Sequence, residues 1–441
     1  MRTEPVTPVT HRRVLHIAAP IVLSNATVPL LGAVDTGVVG QMGAAAPIGA
    51  VGIGAIVLAT FYWIFGFLRM GTSGLAAQAH GAGDAPERTA VLMRALMIGF
   101  AAGATLVLAQ GALFWAAFRV APASPEVEAL ARQYLSLRIW GAPATIALYA
   151  VTGWLIALER TRGVLVLQLW MNGLNILLDL WFVLGLGWGV RGVAGATLIA
   201  EWSGLALGLW LCRDAFGPAL AAARARLFDS TALRRMASVN GDIMVRSVLL
   251  QGAFTTFLFL GAGQGDVTLA ANQVLLQFLE ITAYALDGFA FAAETLVGQA
   301  VGARSRSVLR QSVRLPFLWG LAGAALMAAG FALAGGAIID LMTTSPEVRA
   351  EARAFLPWMI AAPLIGTASW MYDGIYIGAT ATREMRNAMI LCVAIYAAVL
   401  AVLLPLWGNH GLWASLMVLN AVRGLTLGWR WPRLEARLAV V

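Results

Sequence analysis

Residues 78–82 read Gln78-Ala79-His80-Gly81-Ala82, and 221 positions later residues 299–303 read Gln299-Ala300-Val301-Gly302-Ala303. The same offset joins Ser124-Pro125-Glu126-Val127 to Ser345-Pro346-Glu347-Val348, Arg132 to Arg353, and Thr161-Arg162 to Thr382-Arg383. Trp188, Gly189 and Gly192 then match Trp407, Gly408 and Gly411 at an offset of 219, a slip of two residues. A chain of 441 residues that repeats at about half its length is built from two copies of one unit.

Composition says what the unit is. The chain is 60% hydrophobic and 12% charged, where soluble domains carry about 25% charged residues. It reads as a membrane protein. About 20 apolar residues cross roughly 30 Å of hydrocarbon. Twelve such runs lie near residues 14–40, 47–78, 91–118, 127–158, 164–186, 191–212, 233–261, 267–298, 310–334, 350–379, 386–406 and 411–430. The fold expected is an all-α integral membrane protein, with twelve transmembrane helices in two six-helix lobes. Six is even, so both lobes enter the bilayer in the same direction and the internal repeat is parallel, about an axis along the membrane normal. The expected division is an N-lobe over 1–212, a cytoplasmic linker rich in Arg and Ala over 213–232, and a C-lobe over 233–441. Two lobes with a cleft between them are how secondary transporters build alternating access.

All 30 basic residues are arginine, and the formal charge is +8. Positive loops stay cytoplasmic. With both termini inside, 21 arginines fall on the inner side and five (Arg119, Arg132, Arg191, Arg349, Arg353) on the outer. The charge is therefore orientational, and no nucleic-acid partner is expected. The polar stretch Met1–Arg13 has no small-residue cleavage site and is read as a retained cytoplasmic tail. Cys212 and Cys392 lie in apolar runs, with neither a disulfide framework nor a metal spacing. His11, His16, His80 and His410 form no ligand spacing, and with no lysine there is no GxxxxGK[ST] loop. Neither an enzyme nor direct ATP-driven transport is expected, and a cofactor is not implied. A self-contained bundle is expected to be a monomer in the lipid bilayer.

A charge at the bilayer centre costs about 2.5 to 3.5 kcal/mol on insertion scales, so intramembrane acids are functional candidates. Asp35, Tyr134, Asp179 and Thr197 each lie five to seven residues inside the predicted outer ends of their helices. At 1.5 Å per residue they share a layer about 7 to 11 Å deep. Asn175 and Asp179 are four apart, on one helix face. The positions 221 further on, Thr256 for Asp35 and Leu400 for Asp179, carry no acid, so the layer belongs to one lobe. A carboxyl desolvated without a cation favours its protonated form, which suits a group that loads and releases a proton. The same oxygens, with Asn175 and Thr197, suit a hard cation such as Na+. In the second lobe Glu280, Asp287 and Glu294 recur every seven residues, with Arg246 one turn after Asp242 and Asp373 on helix ten. These six are expected either to form a buried polar network that holds the lobe together or to take part in coupling. Pro20 and Pro29 lack amide donors, and helix one is expected to bend at one or both.

The run Ala19-Pro20-Ile21-Val22-Leu23-Ser24-Asn25 with Pro29-Leu30-Leu31-Gly32-Ala33-Val34-Asp35-Thr36 resembles helix one of the multidrug and toxic compound extrusion (MATE) transporters. Phe65-Gly66-Phe67-Leu68-Arg69-Met70-Gly71 and Ala285-Leu286-Asp287-Gly288-Phe289-Ala290-Phe291-Ala292 are similar to the DinF-like branch. That resemblance covers essentially the whole chain. It implies a proton-coupling carboxylate at Asp35 and a helix-one bend at Pro20. It also implies a site completed by Asn175, Asp179, Thr197 and Tyr134. Asp373 resembles a helix-ten Asp that the NorM-like branch uses for sodium, but the acidic helix-seven partner is replaced here, with Gln251 nearby.

The function expected is efflux of amphipathic, often cationic, small organic compounds in exchange for protons, from the bacterial cytoplasmic (inner) membrane. Promiscuity would follow from a cleft lined by Met, Phe, Trp and Tyr. A sodium-coupled antiporter of the same architecture is one alternative. A lipid-linked saccharide flippase is the other; it needs cations in the cleft, and the in-membrane arginines are Arg69, Arg138, Arg246 and Arg423.

Overall fold

The computed structural model describes residues 8–41, 45–120 and 123–438; the side chains of residues 30–33, 35, 36 and 45 lie outside what it describes. Among the described residues the chain is helical throughout. The first half contains α1 (His11–Ala26), α2 (Val28–Gly40), α3 (Ala45–Ile64), α4 (Phe67–Gly81), α5 (Ala85–Leu108), α6 (Gln110–Val120), α7 (Pro125–Arg138), α8 (Ala142–Ala157), α9 (Thr161–Asp179) and α10 (Gly189–Leu211). After the short α11 (Pro218–Ala223) come α12 (Ser230–Ala262), α13 (Asp266–Gly302), α14 (Arg306–Met342), α15 (Pro346–Gly378), α16 (Thr382–Trp407) and α17 (Asn409–Leu438). Pairing α1 with α2, α3 with α4, α5 with α6 and α7 with α8 gives twelve rods, in agreement with the expected span count. Ten helical stretches among the described residues are long and apolar enough to cross a bilayer. The remaining two rods are the first, broken at Thr27, and α17, which carries five charged residues after Leu419.

The repeat persists in the backbone. Ser124 and Ser345 cap α7 and α15, each side chain accepting the amide three residues on at 3.4 Å. Positive φ recurs at matched positions: Gly83 (68°) and Arg304 (53°), Glu159 (59°) and Thr380 (51°), Gly189 (57°) and Gly408 (54°). A non-glycine residue there costs about 1–2 kcal/mol and persists because it closes a tight helix-to-helix turn. Helix packing repeats as well. Gly153 in α8 lies against the carbonyl of Arg69, and Gly374 in α15, 221 residues on, lies against the carbonyl of Ala290. Small residues let membrane helices approach to backbone contact, and here the contact is the same in both halves.

The two-residue slip has a structural counterpart. In the second half α16 runs as regular helix to Trp407. In the first half α9 passes at Asp179 into a π-helical turn, Leu180–Gly185, with Trp188 capping α10. Wider i→i+5 winding accommodates extra residues within a rod, and such turns concentrate at functional positions.

By contacts the chain forms two compact units, one holding Leu23–His80 and Asp84–Met236, the other Gly81–Gly83, Ala237–Val441 and the described residues up to Val22. The division differs from the expected one at its start, where most of α1 goes with the second half. Val9, Val14, Ile17 and Ala18 are buried with Ala292 and Leu296, flanked by Phe289, Val308, Leu315 and Trp319. Gly288 has no side chain, and α1 approaches there until Val22 and the Ala18 carbonyl fill the space.

The break in the first rod is also displaced. Pro20 is buried inside α1, which runs without interruption from His11 to Ala26, so the break in the first rod lies beyond it. The helix stops at Ala26 and restarts at Val28 with Pro29 in the first turn of α2. Proline is well tolerated in a first turn and offers no amide to the preceding helix, so the interruption falls just before Pro29. Thr27 fills it, its amide (3.1 Å) and its hydroxyl (2.7 Å) both donating to the Ser24 carbonyl.

Candidate functional site

In the first unit α2 packs against α3, α9, α10 and the π-helical turn. Asp35 lies on α2, and its side chain lies outside what the structure describes. On α9 four polar residues, Gln168, Asn172, Asn175 and Asp179, share a face at spacings of four, three and four. Gln168 Nε2 donates to Asn172 Oδ1 at 2.9 Å, and Asn172 Nδ2 donates to Thr27 Oγ1 at 2.9 Å, within 3.4 Å of the Thr27 carbonyl. Asn175 Nδ2 donates to Asp179 Oδ2 at 2.7 Å, with Asn175 1% and Asp179 0% exposed. The upper half of the stripe thus holds a buried carboxylate, and the lower half fastens the helix-one break.

Beside this stripe α7 and α10 contribute an ion pair. Arg138 Nη1 meets Glu201 Oε2 at 2.7 Å, and Arg138 Nε donates to the Tyr134 hydroxyl at 3.4 Å. Two glycines make the room, since a Cβ on Gly54 would strike the Tyr134 ring and one on Gly141 would strike the Glu201 carboxylate. Tyr134 is therefore placed next to Arg138 and Glu201. Thr197, half-buried, donates to the carbonyl of Val193 in its own helix at 3.0 Å. In the second half the equivalent positions are Leu400 for Asp179, Tyr396 for Asn175, Phe355 for Tyr134, Met359 for Arg138 and Leu416 for Thr197, all in one apolar core. The Asp179 carboxyl and the Arg138 guanidinium therefore have no charged counterpart in the second unit.

The second unit's acids, expected either to form one buried network or to take part in coupling, lie in distinct environments. Arg246 pairs with Asp373, and Arg423 Nη2 lies 3.7 Å from the same oxygen. Asp242 is held by Arg386 at 2.7 Å and by the Thr382 hydroxyl at 3.1 Å. Glu294 is 0% exposed, Asp287 half-buried and Glu280 exposed, and Glu280 forms no ion pair with Arg246. The heptad spacing aligns these acids on one face of α13, but that helix is 37 residues long and is not equally covered along its length. Sequence reasoning missed Thr27 and Asn172. Their signal was the polar spacing on α9, of which only Asn175 and Asp179 had been singled out.

Replacing Asn172 by Leu is expected to lower the midpoint of thermal unfolding in detergent. It leaves the Gln168 amide and Thr27 without their buried partner, a loss of about 1–3 kcal/mol. An unchanged midpoint would show that this chain does not hold the break.

Known proteins agree with this architecture. The MatE family model matches residues 20–181 and again 243–403, one match in each half. The chain is 39% identical over 424 residues to DNA damage-inducible protein F of Escherichia coli, covering 95% of this chain and 91% of that one. It is 26% identical over 448 residues to a probable multidrug resistance protein NorM of Pseudomonas aeruginosa, covering 95% and 89%. Among solved structures, the Vibrio cholerae MATE transporter VcmN in the bent form superposes with a TM-score of 0.88 at 19% identity, over 98% of each chain. The fold and the paired match define a two-lobed membrane transporter and not an enzyme. The chain belongs to the MATE family.

Proposed function

We infer that the chain exports amphipathic, often cationic, organic compounds in exchange for protons, with Asp35, Asn175 and Asp179 as the proton-handling group and Thr197 and Tyr134 at its margin. The observation that carries this reading is the buried Asn175–Asp179 pair. It ends at a π-helical turn, lies on the helix that holds the break in the first rod, and has Tyr396 and Leu400, neither a carboxyl, as its counterparts in the second half. The layer's arginine, Arg138, is engaged by Glu201. The names of the relatives, a multidrug resistance protein among them, support the substrate class. One proton crossing 100 mV releases about 2.3 kcal/mol, enough for a roughly 50-fold gradient of a neutral solute. The arginine bias supports a bacterial inner-membrane protein with both termini in the cytoplasm, and a self-contained bundle supports a monomer.

The test is reconstitution in liposomes with a fluorescent organic cation, under an imposed pH gradient with and without sodium. Movement driven by the pH gradient in sodium-free buffer is expected. Movement that requires sodium would reassign the layer to a metal cation, and no movement under either gradient would overturn the reading.

A further inference from the structure

Three helices of the second unit bring two arginines to one carboxylate. Arg246 lies mid-way along α12, Asp373 near the end of α15 and Arg423 in the middle of α17, and they are 6%, 8% and 3% exposed. Gly424 brings α17 close enough to α15 for Arg423 Nη2 to donate to the Ser369 hydroxyl at 2.8 Å. Arg246 Nη2 donates to Asp373 Oδ2, and its Nη1 lies 3.5 Å from the Ser247 hydroxyl.

The charges do not balance. Both guanidiniums stay protonated in proteins, so the set carries one excess positive charge. Among the described residues, Asp373 is the only carboxylate acting electrostatically on Arg423; the other groups are Arg246 and the Cys392 thiol, whose sulfur sits 3.7 Å from Thr426 Oγ1. Asp242 is already bound by Arg386 and Thr382. Donors are also left over. Arg423 Nε and Nη1 and Arg246 Nε are buried without a hydrogen-bond partner, as is the acceptor Asp373 Oδ1. Buried guanidinium N–H groups with no acceptor are among the costliest atoms a membrane protein can hold, and a buried charge is kept where it is paired.

We propose that Arg246 and Arg423 hold a single monovalent anion, bound through their unused N–H groups. The ligand is a chloride ion or the carboxylate head of a transported organic acid; the chemistry recognised is the same. This goes beyond proton coupling in the first unit and does not depend on it.

The test is equilibrium binding of radioactive chloride to the purified full-length protein in detergent, with benzoate as competitor. The wild type is expected to bind one chloride saturably. Arg423→Gln keeps the neutral Arg246–Asp373 pair, so the protein is expected to elute as a single species while chloride affinity falls at least about ten-fold; Arg423→Lys, which keeps the charge, is expected to retain binding. Benzoate that displaces chloride and is taken up by liposomes containing wild-type but not Arg423→Gln protein assigns the site to a transported acid. Displacement without uptake assigns it to a resident anion. Absence of saturable binding of either anion to the wild type, or equal affinity in Arg423→Gln, overturns the proposal.

Discussion

Asp179→Asn is expected to reduce pH-driven export by two orders of magnitude or more, on the scale of about 2.7 kcal/mol, while leaving folded yield unchanged. The substitution is close to isosteric, and its side-chain oxygen can still accept from Asn175 Nδ2, which now donates at 2.7 Å. Only the ionisable proton is removed. Packing also argues for a retained fold, because the equivalent position in the second unit is Leu400, buried in an apolar core with no need of a carboxylate. Asp35→Asn is expected to give the same loss. Export is followed in liposomes with a matched amount of folded protein, and full pH-driven export by Asp179→Asn would remove this carboxyl from the proton route.

The second large effect concerns folding. Gly374→Leu is expected to lower the yield of monodisperse protein by more than about ten-fold, since overpacking of a tight interface typically costs 1–3 kcal/mol and this one more. A Cβ at Gly374 would sit against the Ala290 carbonyl, 2.9 Å from its carbon and 3.2 Å from Ala290 Cα. Backbone cannot rotate away as a side chain can, so α13 and α15 would have to separate. Gly378 makes the same approach to the Glu294 carbonyl one turn later. Gly330→Ala in α14 is the control. It meets no atom within 4 Å and is expected to be neutral or stabilising by up to about 1 kcal/mol. Equal yields for Gly374→Leu and the control would show that the close approach is dispensable.

Architecture was largely legible in the sequence because it depends on local patterns. Apolar run length gives the rods, and the offset of 221 gives the repeat; the structure adds positive φ at the matched positions Glu159 and Thr380. Even the slip to 219 was readable as a number. Its meaning as a π-helical turn was not, because winding is decided by which residues the rod faces. Pairings among buried charges were likewise illegible. Arg246 has Asp242 one turn away, yet it pairs with Asp373, 127 positions on, because helix neighbours in space are set by tertiary packing. Missing amide donors marked both Pro20 and Pro29 as places for helix one to bend, and resemblance favoured Pro20; the interruption lies just before Pro29, in the first turn of α2.

The docking of α1 among residues of the second half has a consequence for biosynthesis. Ala18 and Ile17 emerge early, whereas their partners Phe289, Ala292 and Leu296 follow roughly 270 residues later, which at 5–20 residues per second is about 15–55 s of translation. During that interval the face of α1 that these residues cover is without them. Assembly of the second unit therefore includes the capture of a helix made well before the rest of that unit.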